Sequence, residues 1–228
     1  MNTPQVLCAG ILVADIFVPP MPRLPASGEL VATNDFLLET GGCAANVATG
    51  LARLGVTTSI NGVVGQDSFG DFLLQTLTAR GIDMTPVRRS SSFGTSKTVV
   101  LPVIGDDRRF IHTFGANSDF NENDIVLDNL KPGDIFYLGG LLIMPALKSE
   151  GVARLFAEAK SRGITTVLDV VVPVGDATAA WEYLCNILPH TDLFMPNDEE
   201  AHALTGEADV EKQAERFLAQ GCQTVVIT

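Results

Sequence analysis

The sequence predicts an α/β fold: a mostly parallel sheet flanked by helices on both faces, with a small β lid beside it. Three observations predict it. Short apolar runs alternate with segments of helical period along the whole chain. The helical segments are long enough to cross a sheet and return, so the strands they join run parallel. Two stretches, at about 30–40 and 95–115, have strand character with no helix after them, and the second turns at Gly105-Asp106-Asp107. With 228 residues, 46% of them hydrophobic, there is enough apolar material for one unit over 1–228, its lid formed by those two stretches.

Taken in order, "QVLCAGILVAD" reads as one buried strand ending at Asp15. "ELVATNDFLLE" is the first lid strand. "NVATGLARLG" is a helix with Val47, Leu51 and Leu54 on one face, ended by Gly55. "TTSINGVVG" is a strand. "DSFGDFLLQTLTARG" is a helix capped by Asp67 or Ser68, with Phe69, Phe72, Leu73 and Leu77 inward and Gly81 past its end. "TSKTVVLPVIGDDRRFIHTFG" is a lid hairpin. "DIFYLGG" is a strand and "SEGVARLFAEAKSRG" a helix presenting Val152, Leu155, Phe156 and Ala159. "ITTVLDVVV", "TDLFMPN" and "QTVVIT" are strands, separated by helices in "ATAAWEYLCNILPH" and "DVEKQAERFLAQG".

A formal net charge of −12 disfavours nucleic acid and anionic membranes as partners. Cys8, Cys43, Cys185 and Cys222 form no CxxC pair, so reduced, mostly buried thiols are expected, with neither a disulfide frame nor zinc. "MNTPQVLCAGILVAD" lacks a basic leader and its apolar run breaks at Asp15, so a cytoplasmic location is expected. His112, His190 and His202 are isolated, with no metal spacing among them.

Ligands of open parallel sheets bind beyond the carboxyl ends of the strands. Asp15 is expected at such an end. Gly41 and Gly42, ahead of a helix, let backbone approach a ligand closely, and Asn46 in the first helical turn can donate and accept. A carboxylate, an amide and exposed backbone N–H groups suit a polyhydroxylated guest. On these residues alone, a tight turn with a local cap serves equally well. The stretch is neither a Rossmann GxGxxG nor a Walker A loop.

The run "GGCAANVATGLARLGVTTSINGVVG" resembles the first signature of the PfkB/ribokinase family of carbohydrate and nucleoside kinases, through Gly41, Gly42, Ala44, Asn46, Ala48, Gly55 and Gly65. "MPNDEEAHALTG" carries that family's NxxE motif as Asn197 and Glu200. The resemblance covers essentially the whole chain and implies a ribokinase-like fold with a sugar held between body and lid. It implies that Asp15 accepts hydrogen bonds from substrate hydroxyls and that Gly41, Gly42 and Asn46 line the same pocket. Asn117, in "FGAN" where the chain re-enters the body, is a further pocket candidate. ATP and Mg²⁺ are the implied cofactors. Asn197 and Glu200 then belong to the magnesium and phosphate end, Glu200 holding Mg²⁺ mainly through water. Without the resemblance, Glu200 reads as a solvated member of the acidic run "NDEE".

The implied reaction is transfer of the ATP γ-phosphoryl group to a sugar hydroxyl. The family's second signature, DTxGAGD, is absent, so no catalytic residue is assigned in this chain, and its general-base Asp is expected in a missing segment. The unit is therefore expected to be incomplete at its C-terminus, a fragment of a sugar kinase that is itself inactive. The alternatives are a nucleoside kinase of the same fold, or a non-catalytic sugar-binding protein if the native gene ends at Thr228. Arg108, Arg109 and Lys97 fall on the lid, as solvated charges or as contacts for an anionic group. The resemblance also implies a homodimer through the lid.

Overall fold

The protein is described by a computed structural model covering residues 4–173 and 177–228; residues 1–3 and 174–176 of the expected 1–228 unit lie outside it. In chain order the strands are β1 (Val6–Gly10), β2 (Val13–Phe17), β3 (Leu37–Gly41), β4 (Thr58–Asn61), β5 (Val63–Gly65), β6 (Arg88–Ser90), β7 (Lys97–Leu101), β8 (Arg109–Thr113), β9 (Ile135–Leu141), β10 (Thr165–Val170), β11 (Leu193–Phe194) and β12 (Thr224–Val225). The helices are α1 (Cys43–Arg53), α2 (Ser68–Ala79), α3 (Ser149–Ser161), α4 (Ala177–Cys185), α5 (Asp198–Thr205) and α6 (Val210–Ala219).

Six strands form the body sheet in the order β12-β11-β10-β9-β1-β4, every pair parallel. Helices cover both faces, as parallel strands with helical crossovers require. On one face Phe136 and Leu138 pack against Val152, Phe156 and Ala159 of α3, with Phe194 and Phe217 edge to face beyond them. On the other, Cys8 and Ile60 meet α1 and α2. That second face is only partly covered. An apolar groove of about 360 Å³ opens there along Val47, Leu51, Tyr137, Val167, Asp169 and Met195.

The lid is a four-stranded sheet, β3-β2-β7-β8. The β7–β8 hairpin is as expected, with Gly105 at φ 80° in its turn. Two readings need correction. First, "QVLCAGILVAD" is not one strand. It divides into β1 in the body and β2 in the lid, so Asp15 lies within a lid strand rather than at the tip of a body strand. The break follows from Gly10, at φ 134°, where any side chain would run into the Gly139 carbonyl. Second, of the stretch near 30–40 only Leu37–Gly41 is strand. "TTSINGVVG" likewise breaks at Gly62, and its second part, β5, pairs with β6 in a separate two-stranded sheet.

Helix α1 turns a different face inward from the one its large residues suggested. Ala44, Ala45 and Ala48 are fully buried, Val47 and Leu51 are half-buried along the groove, and Leu54 is 80% exposed. Small residues let this helix approach the sheet closely. Gly55, at φ 80°, ends it as expected.

Candidate active site

The site begins where the chain crosses from body to lid. Strand β2 runs antiparallel to β3 and parallel to β7. Asp15 is directly opposite Glu39 on one side and Thr98 on the other, and Thr98 is opposite His112 of β8. Residues directly opposite share a face, so Glu39, Asp15, Thr98 and His112 form one polar row across the lid. Beside it lies an apolar row, Phe17, Val100 and Phe110.

Beneath the lid is a cleft of about 740 Å³. Asp15, Gly42 and Asn46 line it together with Thr98, Arg108 and His112; Ile143, Val171 and Pro173 supply the body side. The carboxylate, the amide and the glycine thus share one hollow. Gly41 acts one step back: a Cβ added there would overlap the Asp15 carboxyl, so its bareness lets that group lie where it does. Gly42, at φ 92°, caps α1 with no side-chain partner, and a Cβ there would strike the Ile11 carbonyl. Burial pushes the Asp15 carboxyl above its usual range, while a hydrogen bond from Thr98 and the proximity of His112 oppose that shift. Partial burial on its cleft side pushes the otherwise exposed His112 below its usual value, Asp15 opposing.

Asn117 does not line the cleft. It is buried, its Oδ1 accepting from the Leu12 N–H at 3.1 Å and its Nδ2 donating to the Leu12 carbonyl at 3.0 Å. Both ends of the amide are thereby committed to holding the β1–β2 crossing. Lys97 also points elsewhere, 3.9 Å from Asp67 and over the Phe69 ring. Arg109 pairs with Asp106, which leaves Arg108 as the lid cation bordering the cleft.

At the other end, Asn197 and Glu200 form a reciprocal capping box at the start of α5. Asn197 Oδ1 accepts from the Glu200 N–H at 2.7 Å, and Glu200 Oε2 accepts from the Asn197 N–H at 2.9 Å. Glu200 also accepts from the Val172 backbone N–H, which ties this end to the segment whose neighbours Val171 and Pro173 line the cleft. Asp169, at the end of β10, accepts from the Tyr137 hydroxyl at 2.7 Å and interacts with Cys43. Burial pushes both Asp169 and Glu200 up, and Asp169's charge adds to the shift of Glu200. Burial also pushes Cys43 up to about 12, so it is no nucleophile. The partnership of Asp169 with Tyr137 went unread in the sequence, since they are 32 positions apart and meet only across adjacent strands.

The family described as pfkB family carbohydrate kinase matches residues 3–228. The chain belongs to that family. Among curated relatives of this PfkB chain, a ribokinase of Haemophilus influenzae is 27% identical over 213 residues, covering 91% of the chain and 66% of the relative. A probable fructokinase-5 of Arabidopsis thaliana is 28% identical, covering 100% of the chain and 70% of the relative. The chain thus spans about two thirds of the length of these relatives. A fructokinase of Xylella fastidiosa with bound ATP superposes with a TM-score of 0.78 at 23% identity, covering 100% of the chain and 72% of that structure. An E. coli neighbour in complex with ATP and Mg²⁺ gives 0.78 at 20% identity, covering 99% and 72%. These likenesses establish the ribokinase-like α/β fold. Among the described residues, no helix is long and apolar enough to cross a membrane.

Proposed function

We propose that this PfkB chain is the sugar-binding portion of an ATP-dependent kinase that transfers the γ-phosphoryl group to a hydroxyl of a sugar or related polyol. One observation carries the reading: Asp15, Gly42 and Asn46 line a single cleft under the lid, and Val171–Pro173 connects that cleft to the carboxylates of Asp169 and Glu200. The Asp15 carboxylate and the Asn46 amide hold the hydroxyls. The lid keeps water from competing for the phosphoryl group.

The charge of Asp169 adds to the upward shift of Glu200, and neither carboxylate has a cationic partner among the described residues. No group of three or more metal-ligating side chains occurs there. Two carboxylates without a cage suit Mg²⁺, which retains most of its waters. Bound with ATP, the ion would offset charge on the phosphate oxygens. Asn197 supports this end by fixing Glu200. No residue here is assigned as the base that removes the hydroxyl proton, because the sequence holds no DTxGAGD. The 228-residue chain by itself is then expected to show no turnover, with sugar binding weak or absent. A cytoplasmic location and a homodimer through the lid accompany this reading.

The test is ADP release by the full-length gene product on a panel of pentoses, hexoses and nucleosides. The expected result is turnover with a sugar, and loss of sugar binding ahead of ATP binding in Asp15→Ala. Signal from a nucleoside alone would overturn the sugar assignment. Equal loss of both ligands would remove Asp15 from the sugar site.

A further inference from the structure

On the face of the body sheet that α1 covers, a buried phenol is aimed at a carboxylate. Tyr137 of β9 is 5% exposed, and its in-register neighbour on β10 is Val167. The far end of its ring lies over Gly139, where an added Cβ would overlap the hydroxyl. From there the hydroxyl donates to Asp169 Oδ2 at 2.7 Å, two residues beyond Val167 on the same face of β10. The register shows how room is made. Leu168 pairs with Leu138, but Val170 pairs with Leu141, so Gly139 and Gly140 together oppose Asp169 alone. This is a bulge on β9, with Gly140 at φ 79°, and bulges re-aim side chains beside functional sites. Packing alone does not call for such an arrangement: on the other face, Phe136 and Leu138 fill their side of the sheet with hydrocarbon.

Asp169 stands at the carboxyl end of β10, where ligands of open parallel sheets bind. Val171 and Pro173, just after it, line the cleft. The adjoining β11 pairs Phe194 with Leu168 and leads directly into the Asn197–Glu200 capping box. Asp169 also borders the open groove, so its carboxylate is not sealed in. We propose that Tyr137 is a positioning residue, whose hydrogen bond to Oδ2 fixes the orientation in which the Asp169 carboxylate meets the hydrated cation and phosphates of the nucleotide. The inference rests on the kinase reading and deepens it by naming what holds one of its two carboxylates. The last torsion of an Asp side chain is broad, and a donor on one oxygen selects one setting of it. Glu200 is treated alike, one of its oxygens being held by the Asn197 N–H. Partners of this kind orient metal-binding groups without touching the metal.

The experiment uses the full-length gene product without sugar, so that no turnover occurs, and Mn²⁺ as the probe for Mg²⁺. Calorimetric titration gives the affinity for ATP with Mn²⁺ and with EDTA, and the ratio of the two isolates the metal-dependent part. Tyr137→Phe should lower that ratio about tenfold and leave the affinity in EDTA unchanged. Asp169→Asn should lower it at least as far, and adding Tyr137→Phe to Asp169→Asn should change it no further. Urea unfolding checks that each variant is folded. Gly139→Ala, which crowds the hydroxyl off Asp169 while keeping the phenol, should lower the ratio in the same way and gives the same reading should Tyr137→Phe not fold. An unchanged ratio in the folded variants overturns the proposal. So does a further equal loss when Tyr137→Phe is added to Asp169→Asn, since the phenol would then act by another route. Equal loss of ATP affinity with and without Mn²⁺ would make Tyr137 a general support of the fold and overturn it too. If the wild type binds ATP no better with Mn²⁺ than with EDTA, the nucleotide end of the kinase reading itself fails and the role of Tyr137 falls with it.

Discussion

At the scale of single residues, two adjacent glycines do different work. Gly42 has a left-handed backbone and abuts the Ile11 carbonyl, so a side chain there strains the main chain where α1 begins. Gly41 has neither problem. Its added Cβ would meet only the end of the Asp15 side chain, which can rotate away. Gly41→Ala should therefore fold normally yet misplace the carboxylate, with sugar affinity falling roughly 10- to 100-fold, the range for a charged hydrogen-bond acceptor. Calorimetric titration alongside a melting curve checks this. A large loss of stability with unchanged affinity in the surviving protein would contradict it. The pair of glycines was legible in the sequence as a close approach of backbone to ligand, but the division of roles was not. Only the placement of Asp15 in a neighbouring strand shows why one of them must be bare.

At the scale of elements, the alternation of strands and helices was readable because apolar period and cap residues agree: Asp67 caps α2, and glycines with positive φ follow α1 and α2. What was not readable is where one apolar run belongs to two sheets. Residues 6–14 form one unbroken run of apolar residues and glycine, so composition marks no boundary at Gly10, and the division depends on Gly10 meeting Gly139 and on Asn117 bracketing Leu12 from over a hundred residues away. Asp67 illustrates another long-range role. Besides accepting from the Gly70 N–H, it accepts from the Thr95 N–H at 2.8 Å and the Thr95 hydroxyl at 2.6 Å, fixing the chain where it enters β7. Burial raises its pKa, but these hydrogen bonds and Lys97 outweigh burial and leave it lowered. A depressed carboxyl stabilises the fold above the ordinary Asp range, and that contribution is lost as pH falls through the folded-state value. Asp67→Ala should cost about 2 kcal/mol at neutral pH. The deficit relative to wild type should shrink below about pH 4, as the wild type itself is protonated. Urea unfolding at several pH values measures this, and a pH-independent deficit would mean that the charge is not involved.

At the scale of the whole molecule, the lid ends in an open edge. Strand β8 pairs with β7 on one side only, and all five of its residues are exposed, with Phe110 at 59% and Ile111 at 65%. Phe110 and His112 face the cleft, so Ile111 lies on the opposite face of the strand. An unpaired, apolar edge attracts another strand, and the self-complementary solution is a two-fold pairing of identical edges. Such pairing would bring a second lid alongside the first while both clefts stay on the inner face. The expected outcome in sedimentation experiments is a concentration-dependent species of twice the 24.2 kDa chain mass. Ile111→Lys should shift it to monomer, because an edge lysine opposes strand addition without touching the cleft side of the lid. A wild-type chain that stays monomeric at every concentration, or an Ile111→Lys variant that dimerises as strongly, would show that β8 is not the contact. In the second case the open groove along Val47, Leu51 and Met195 becomes the apolar surface to test next, since it lies on the body and not on the lid.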